Sequence, residues 1–461
     1  MSKVDSHYIK MTKTPVSKLI IMLGIPTTIS MLITNIYNLA DTYFVGTLGE
    51  SQQAATGILF TLQCIIQAFA FMLGHGSGTY VSKALADKDV KTATKYVSTA
   101  FYLGASIGTI LMVFGLIFLE PFMMLLGSTK TILPYAKDYG LWVLIACPFM
   151  ITSLILNNNL RYEGKALFSM IGLSVGGVLN IFGDYLFVVE CNMGVFGAGL
   201  STAVSQIISF LILLILYIKQ AQSSISISSV ARKALVYLNI FRAGFPSLIR
   251  QGLTAISSGL LNNLTKPFGD AAIAAMSIVN RFSSFIMCVG MGIGQGFQPV
   301  AAFNYQAKEY TRVKKGLIFT LLFSIGVVSV LGIIALIIPD KIMYLLQQNE
   351  DSREVIDIGV AAMRMATIGV MILPVSVSVN MLYQSIRKST IASILALMRS
   401  GLIFIPTLYL LQAVGLGLTG IKLAQPMADI ITSLLSVPFI IHFIFKTPNT
   451  LQNDENFEIC E

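Results

Sequence analysis

Apolar stretches recur about twelve times along this chain, beginning near residues 17, 53, 93, 135, 166, 192, 239, 272, 314, 357, 389 and 416. A run of about 20 apolar residues, wound as a helix, crosses the hydrocarbon of a bilayer. Backbone polar groups have no water to bond there, so the expected fold is an all-α polytopic membrane protein of about twelve transmembrane helices. The segment 219–238 carries the polar stretch QSSISISS and divides the chain into residues 1–218 and 239–446, each with six spans. Residues 447–461 are polar and acidic and are expected to form a tail without fixed structure.

The pattern also repeats. LGIPTTISMLITNIYNLADTYFVGTLGE in the first half aligns without a gap to AGFPSLIRQGLTAISSGLLNNLTKPFGD in the second. The offset is 220 residues for Gly24 and Gly244, Pro26 and Pro246, Gly49 and Gly269, Gly76 and Gly296, and Lys88 and Lys308. It becomes 221 for Gly194 and Gly415, Gly199 and Gly420, and Ala203 and Ala424. Two pseudo-symmetric six-helix bundles are therefore expected, an N-lobe and a C-lobe joined by a linker. Duplicated bundles facing each other are how many secondary transporters build a central site. One chain then supplies both halves, so a monomer is expected.

Composition agrees: 55% of residues are hydrophobic, 11% are charged and the mean hydropathy is +0.77, whereas a soluble domain carries about 25% charged residues. The basic start and a first apolar stretch containing Pro26 and Asn35 read as a first span rather than a cleaved leader. With both termini on one side, that side collects 21 of the 31 Lys and Arg residues, among them Lys83, Arg161, Lys165, Lys219, Lys315 and Arg387. That side is expected to be cytoplasmic in a cell membrane. The net charge of +9 is spread over short loops and does not describe a nucleic-acid surface. Five scattered cysteines and three distant histidines give no disulfide or metal spacing. No nucleophile–base set or nucleotide loop is present, so an enzyme is not expected and no cofactor is implied.

Acidic residues inside spans are few, and each costs about 2.5–3.5 kcal/mol at the bilayer centre. Asp41 lies late in the first span, Asp184 late in the fifth and Asp429 in the twelfth. Asp184 is 19 residues beyond Lys165 and Asp41 is 23 beyond Lys18, roughly 28 Å and 34 Å along a helix. Both fall in the outer half of the membrane. Asn180 stands one turn before Asp184 on the same face, and Asn38 three residues before Asp41. Thr202, about ten residues into the sixth span, reaches a similar level. Carboxylates among amide and hydroxyl oxygens suit Na⁺ or a proton; the alternative is a set of interhelical hydrogen bonds.

Basic residues enter the second half instead: Arg250, Arg281, Arg399 and Lys422. Asp429 is expected to neutralise one of them. Pro26 and Pro246 bend the first and seventh spans at equivalent positions. Gly74, Gly76 and Gly78, with Gly290, Gly292, Gly294 and Gly296, form small-residue faces for close helix approach.

These residues carry a resemblance. NLADTYFVGTLG, QQAATG, GSGTYVSKALADKD, NIFGDYLFV and MGVFGAGLSTAVSQ, with FGDAAIAAMSIVNR and GIGQGFQPVAAFNYQAK in the second half, resemble the multidrug and toxic compound extrusion (MATE) family over nearly the whole chain. The resemblance implies a two-lobe antiporter exporting cationic amphipathic small molecules in exchange for H⁺ or Na⁺. In the DinF-like branch the coupling cation is handled in the N-lobe, which here maps to Asp41, Asn180, Asp184 and Thr202, the same four residues that would hold Na⁺. The NorM-like branch adds acids in spans 7 and 10; here span 7 offers Arg250 and Gln251, and span 10 has no carboxylate past Asp357. Pro26, Tyr37, Asn38, Arg250 and Gln251 are the candidates for lining or gating the cavity. The alternative is a flippase of lipid or lipid-linked precursors from the same superfamily, with arginines of the C-lobe on a phosphate head-group.

Overall fold

The computed structural model of the chain describes residues 3–346 and 353–448. Twelve long helices follow one another: α1 (Val16–Gly46), α2 (Glu50–Ala86), α3 (Val90–Ile117), α4 (Leu133–Tyr162), α5 (Ala166–Asp184), α6 (Gly194–Gln220), α7 (Ala234–Thr265), α8 (Asp270–Gln306), α9 (Tyr310–Ile337), α10 (Arg353–Ile372, continued as Pro374–Ser385), α11 (Ser389–Leu397, continued as Phe404–Ala413) and α12 (Gly417–Lys446). Among the described residues, eleven helices are long and apolar enough to cross a membrane. The other long helix, α7, is equally long but carries Asn239, Arg242, Arg250 and Gln251. No strand occurs among the described residues. The proposed tail lies outside them from residue 449 onward.

The repeat is visible in the backbone. Short helices Leu119–Leu125 and Pro339–Leu346 occupy the same connection in each half, 220 residues apart. Lys88 and Lys308 both adopt left-handed backbone, with φ of 59° and 62°, an uncommon conformation for a residue with a Cβ. Within the first lobe α4 packs between α2 and α6, and α1 against α5. Within the second, α10 packs between α8 and α12. The lobes meet where α1 runs along α8 and α2 along α7.

Those two crossings are made by glycines at the end carrying the termini, the basic side. A Cβ added at Gly244 would lie 1.8 Å from the carbonyl oxygen of Met72, and one at Gly76 would lie 2.1 Å from that of Ile240. A Cβ at Gly296 would lie 2.4 Å from the Cα of Gly24. Of the small-residue faces, Gly76 and Gly296 thus place backbone on backbone between lobes, as close-packed membrane helices do, whereas Gly74 and Gly78 make room for Asn158 and Tyr162, and Gly294 for Met381, within their own lobes. Farther along, Asn35 donates to the Cys288 sulfur at 2.8 Å, and Gln251 approaches Gln67 at 3.5 Å. Beyond these contacts the helices part. Gly57, Gly252 and Gly259 face open space. An apolar groove of about 980 Å³ opens between α1 and α8, lined by Leu39, Tyr43, Ile278, Arg281 and Phe282. The cleft is therefore closed at the basic side and widens toward the other.

Two features of the basic side were not expected from the sequence, the tethering of the connection between lobes and a short helix before the first span. The connection between lobes is 221–233, shorter than 219–238, and is strapped to the first lobe. Glu163 accepts from the backbone N–H groups of Gln222 and Ser223, from the Ser223 hydroxyl and from the Tyr217 hydroxyl. An amphipathic helix, Lys3–Lys13, also covers this face. His7 packs edge-on against Phe303 of α8, with ring centroids 5.4 Å apart, and Lys88 bonds Asp5 at 2.8 Å.

Burial, with Lys165 and Lys10 nearby, pushes His7 down to about 4 from its ordinary 6.5. The unfolded segment therefore takes up a proton at a pH where the docked helix does not. Docking is fully stable above pH 6.5 and weakens as pH falls toward 4. At pH 5 the loss is about 2 kcal/mol. Amide exchange in residues 3–13 should accelerate between pH 7 and pH 5, after correction for intrinsic rates, and His7→Gln should remove that acceleration.

Candidate functional site

Asp41, Asn180, Asp184 and Thr202 come together in the first lobe, all of them buried. Asn180 and Asp184 share one face of α5, and the Asn180 amide nitrogen reaches Thr202 Oγ1 at 3.2 Å, Ser201 Oγ at 3.3 Å and Asp184 Oδ1 at 3.5 Å. Ser201 donates back to the Asn180 carbonyl at 3.0 Å. Helix α5 comes this near to α6 because Gly183 leaves room: a Cβ there would sit 2.5 Å from Ser201 Oγ. Directly after Asp184 the helix loosens into a π-turn, Tyr185–Glu190, a distortion common beside functional residues.

The sequence reasoning missed the group that ties the cluster together. Tyr139, in α4, donates to Asp41 Oδ2 at 2.7 Å and lies 3.2 Å from Thr202 Oγ1. It links α1 to α6, and Gly199 of α6 lets it approach, a Cβ there falling 3.0 Å from the Tyr139 Cα. A tyrosine within an apolar span was the available signal, since a buried hydroxyl usually has a partner. Asp41 Oδ1, Asn180 Oδ1 and Asp184 Oδ2 are buried and accept no hydrogen bond. Neither carboxylate forms an ion pair among the described residues. Two carboxylates, an amide oxygen and a hydroxyl are a hard-oxygen set suited to an alkali cation or a proton. No group of three or more His, Cys, Asp and Glu that could hold a metal occurs among the described residues.

The cavity candidates are dispersed. Pro26 is buried in α1, two residues beyond Gly24 at the α1–α8 crossing. Tyr37 lies against α5, its ring 3.0 Å from where a Gly177 Cβ would stand. The carbonyl of Asn38 accepts from Thr42, while the Asn38 side chain stays outside the hydrogen-bonded cluster. Gln251 faces the other lobe at Gln67, and Arg250 donates to Asn380 at 3.1 Å within its own lobe. Asp429 accepts from Arg399 Nε at 2.9 Å, the neutralising role expected of it.

Arg161, expected as a loop charge, is instead 2% exposed at the lobe interface. It donates to Gln295 Oε1, to Asn158 Oδ1 and to His75 Nε2. A guanidinium only donates, so His75 is neutral with its proton on Nδ1, facing Ser247 Oγ at 2.7 Å. Gln384 donates to the same hydroxyl at 2.8 Å. A continuous polar seal thus joins α2 and α4 to α7, α8 and α10 at the closed end. His75 and Arg161 stand 86 positions apart, and neither pattern nor spacing joins them.

Comparison with known proteins places the chain and its fold. Multidrug export protein MepA of Staphylococcus aureus (strain MSSA476) is 25% identical over 457 residues, covering 98% of this chain and 99% of that protein. MepA of Staphylococcus saprophyticus is likewise 25% identical over 457 residues, with 98% and 99% coverage. Among solved structures, a MATE protein in complex with MaL6 superposes with a TM-score of 0.89 at 20% identity, covering 96% of this chain and all of that one. An outward-facing multidrug resistance MATE transporter superposes at 0.88 with 20% identity and coverage of 95% and 98%. The MatE family model matches residues 26–186 and again 246–410, one copy in each lobe around the glycine crossings described above, and the chain belongs to the MatE family.

Proposed function

We propose that the protein is a secondary active multidrug exporter that moves cationic amphipathic compounds outward in exchange for H⁺ or Na⁺. The observation that carries this reading is the Asp41–Tyr139–Thr202–Asn180–Asp184 cluster: two buried carboxylates without a cationic side chain, in one lobe of a cleft sealed at one end. An unpaired buried carboxylate is costly, and a proton or Na⁺ entering from the open side relieves that cost. The basic side is cytoplasmic by its excess of Lys and Arg, so the cleft faces outward with both termini inside the cell membrane. The relatives named multidrug export proteins support export of small-molecule drugs. The groove between α1 and α8 offers amphipathic molecules an apolar wall. Both lobes come from one chain, and the working unit is a monomer.

In this mechanism, neutralisation of the cluster from outside lets α1 repack against α5 and α6. The seal around Arg161 then breaks as the lobes rock, and the cleft opens to the cytoplasm. Ethidium efflux from proteoliposomes tests the reading, with a pH gradient and a Na⁺ gradient imposed separately. Acceleration by one gradient and not the other identifies the coupling ion. Equal efflux with and without either gradient rejects antiport.

A further inference from the structure

We propose that the second lobe holds an anion site of its own, able to take one singly charged oxyanion group, a carboxylate or a phosphodiester. A chamber of about 110 Å³ lies inside this lobe, walled by α7, α8, α10, α11 and α12. A water molecule's share of liquid volume is about 30 Å³, so the chamber accommodates a carboxylate and its first carbons. Helices α7 and α8 also form this lobe's wall of the cleft.

Three charged side chains line it: Arg399, Lys422 and Asp429. Arg399 uses Nε to bond Asp429 at 2.9 Å, and Gln425 donates to the same carboxylate oxygen at 2.9 Å. That pair is neutral. Among the described residues, the terminal guanidinium nitrogens of Arg399 make no further hydrogen bond, and Lys422, half-buried, has no hydrogen bond or ion pair. The chamber therefore carries one uncompensated positive charge, on a lysine in the second turn of the apolar helix α12, where charged side chains are few. Asn280 and Ser283 on its wall add neutral donors.

The repeat shows that this polarity is an inversion of the first lobe. Asp41 corresponds to Leu261, and Asp184 to Phe404 or Ile405 on the two offsets; Ser201 corresponds to Lys422. Leu261, Phe404 and Lys422 all line the chamber. The second lobe thus has no carboxylate at either matching position and carries an ammonium where the first lobe has a hydroxyl. One lobe is built to receive a cation and the other an anion.

Isothermal calorimetry on the full chain in uncharged detergent, at fixed ionic strength, tests the site with sodium benzoate and with a short-chain phosphatidylglycerol. Wild type should bind at least one of them in a one-to-one stoichiometry. Lys422→Gln should weaken binding at least about tenfold through loss of a charge-assisted contact, and Lys422→Arg should stay within about threefold of wild type. Benzoate binding assigns the group to a soluble carboxylate, and phosphatidylglycerol binding alone assigns it to lipid. Heat from neither ligand, or equal affinity in Lys422→Gln, overturns the proposal. A measurement on wild type alone guards against a variant that does not fold. Benzoate should raise the thermal midpoint and benzylammonium, of similar shape and opposite charge, should not; equal shifts also overturn it. The calorimetry uses no ion gradient, so failure here leaves the export reading standing, and failure of gradient-driven efflux leaves this site standing.

Discussion

Asp41→Asn should lower gradient-driven ethidium efflux between about fivefold and 150-fold, the range set by a coupling free energy of about 1–3 kcal/mol, and Asp184→Asn should do the same. Asparagine keeps the shape of the side chain and an oxygen for Tyr139 to bond, so packing around the cluster survives. What disappears is the charge that a proton or Na⁺ neutralises. The passive leak of ethidium should stay at the wild-type value, which separates lost coupling from a damaged fold. Tyr139→Phe removes the donor to Asp41 Oδ2 and keeps both carboxylates, so a smaller fall of about fivefold is expected, of the order of one lost hydrogen bond. Efflux in Asp41→Asn that responds to the gradient as wild type does would overturn the assignment of the coupling site.

Asp41 and Asp184 were legible because a carboxylate in an apolar span is costly enough to demand a reason. Asn180 followed from helix geometry, one turn away on the same face. Tyr139 was not legible, because its role depends on α4 packing between α2 and α6, and no local pattern fixes which way a tyrosine in an apolar span points. Arg161 was misread for a related cause. Two residues before Glu163 and three before the turn at Gly164 (φ of 72°), it looks like the edge of a loop. Helix α4 in fact continues to Tyr162 and carries the guanidinium inward, to partners on α2 and α8. The amphipathic helix Lys3–Lys13 escaped notice because only one face of its 11 residues is apolar, and its partner Phe303 is some 300 positions away. The twelve spans and the two lobes, by contrast, rest on composition and on a repeat of fixed offset, both local properties of the chain.

Gly244→Ala should cost the closed basic side about 2 kcal/mol, the usual penalty of overpacking a tight contact, and shift the population of this state roughly thirtyfold. The added methyl would meet the Met72 carbonyl at 1.8 Å. That oxygen belongs to helical backbone and cannot turn aside, so α7 must move off α2. Gly296→Ala should act in the same way, since its Cβ would strike the backbone of Gly24. The repeat makes Gly24 the counterpart of Gly244, yet a Cβ at Gly24 would stand 3.4 Å from the Cα of Ile293, at ordinary contact distance. Gly24→Ala should therefore transport as wild type does, while Gly244→Ala falls about tenfold or more. Spectroscopic labels at Lys91→Cys and Lys315→Cys, in a background lacking the native cysteines, should move apart in Gly244→Ala and stay in place in Gly24→Ala. Helix propensity cannot produce this asymmetry, because alanine is the better helix former at both positions. If the two substitutions behave alike, the glycine crossing does not hold the lobes together at this end, and the seal around Arg161 and His75 carries the closure alone.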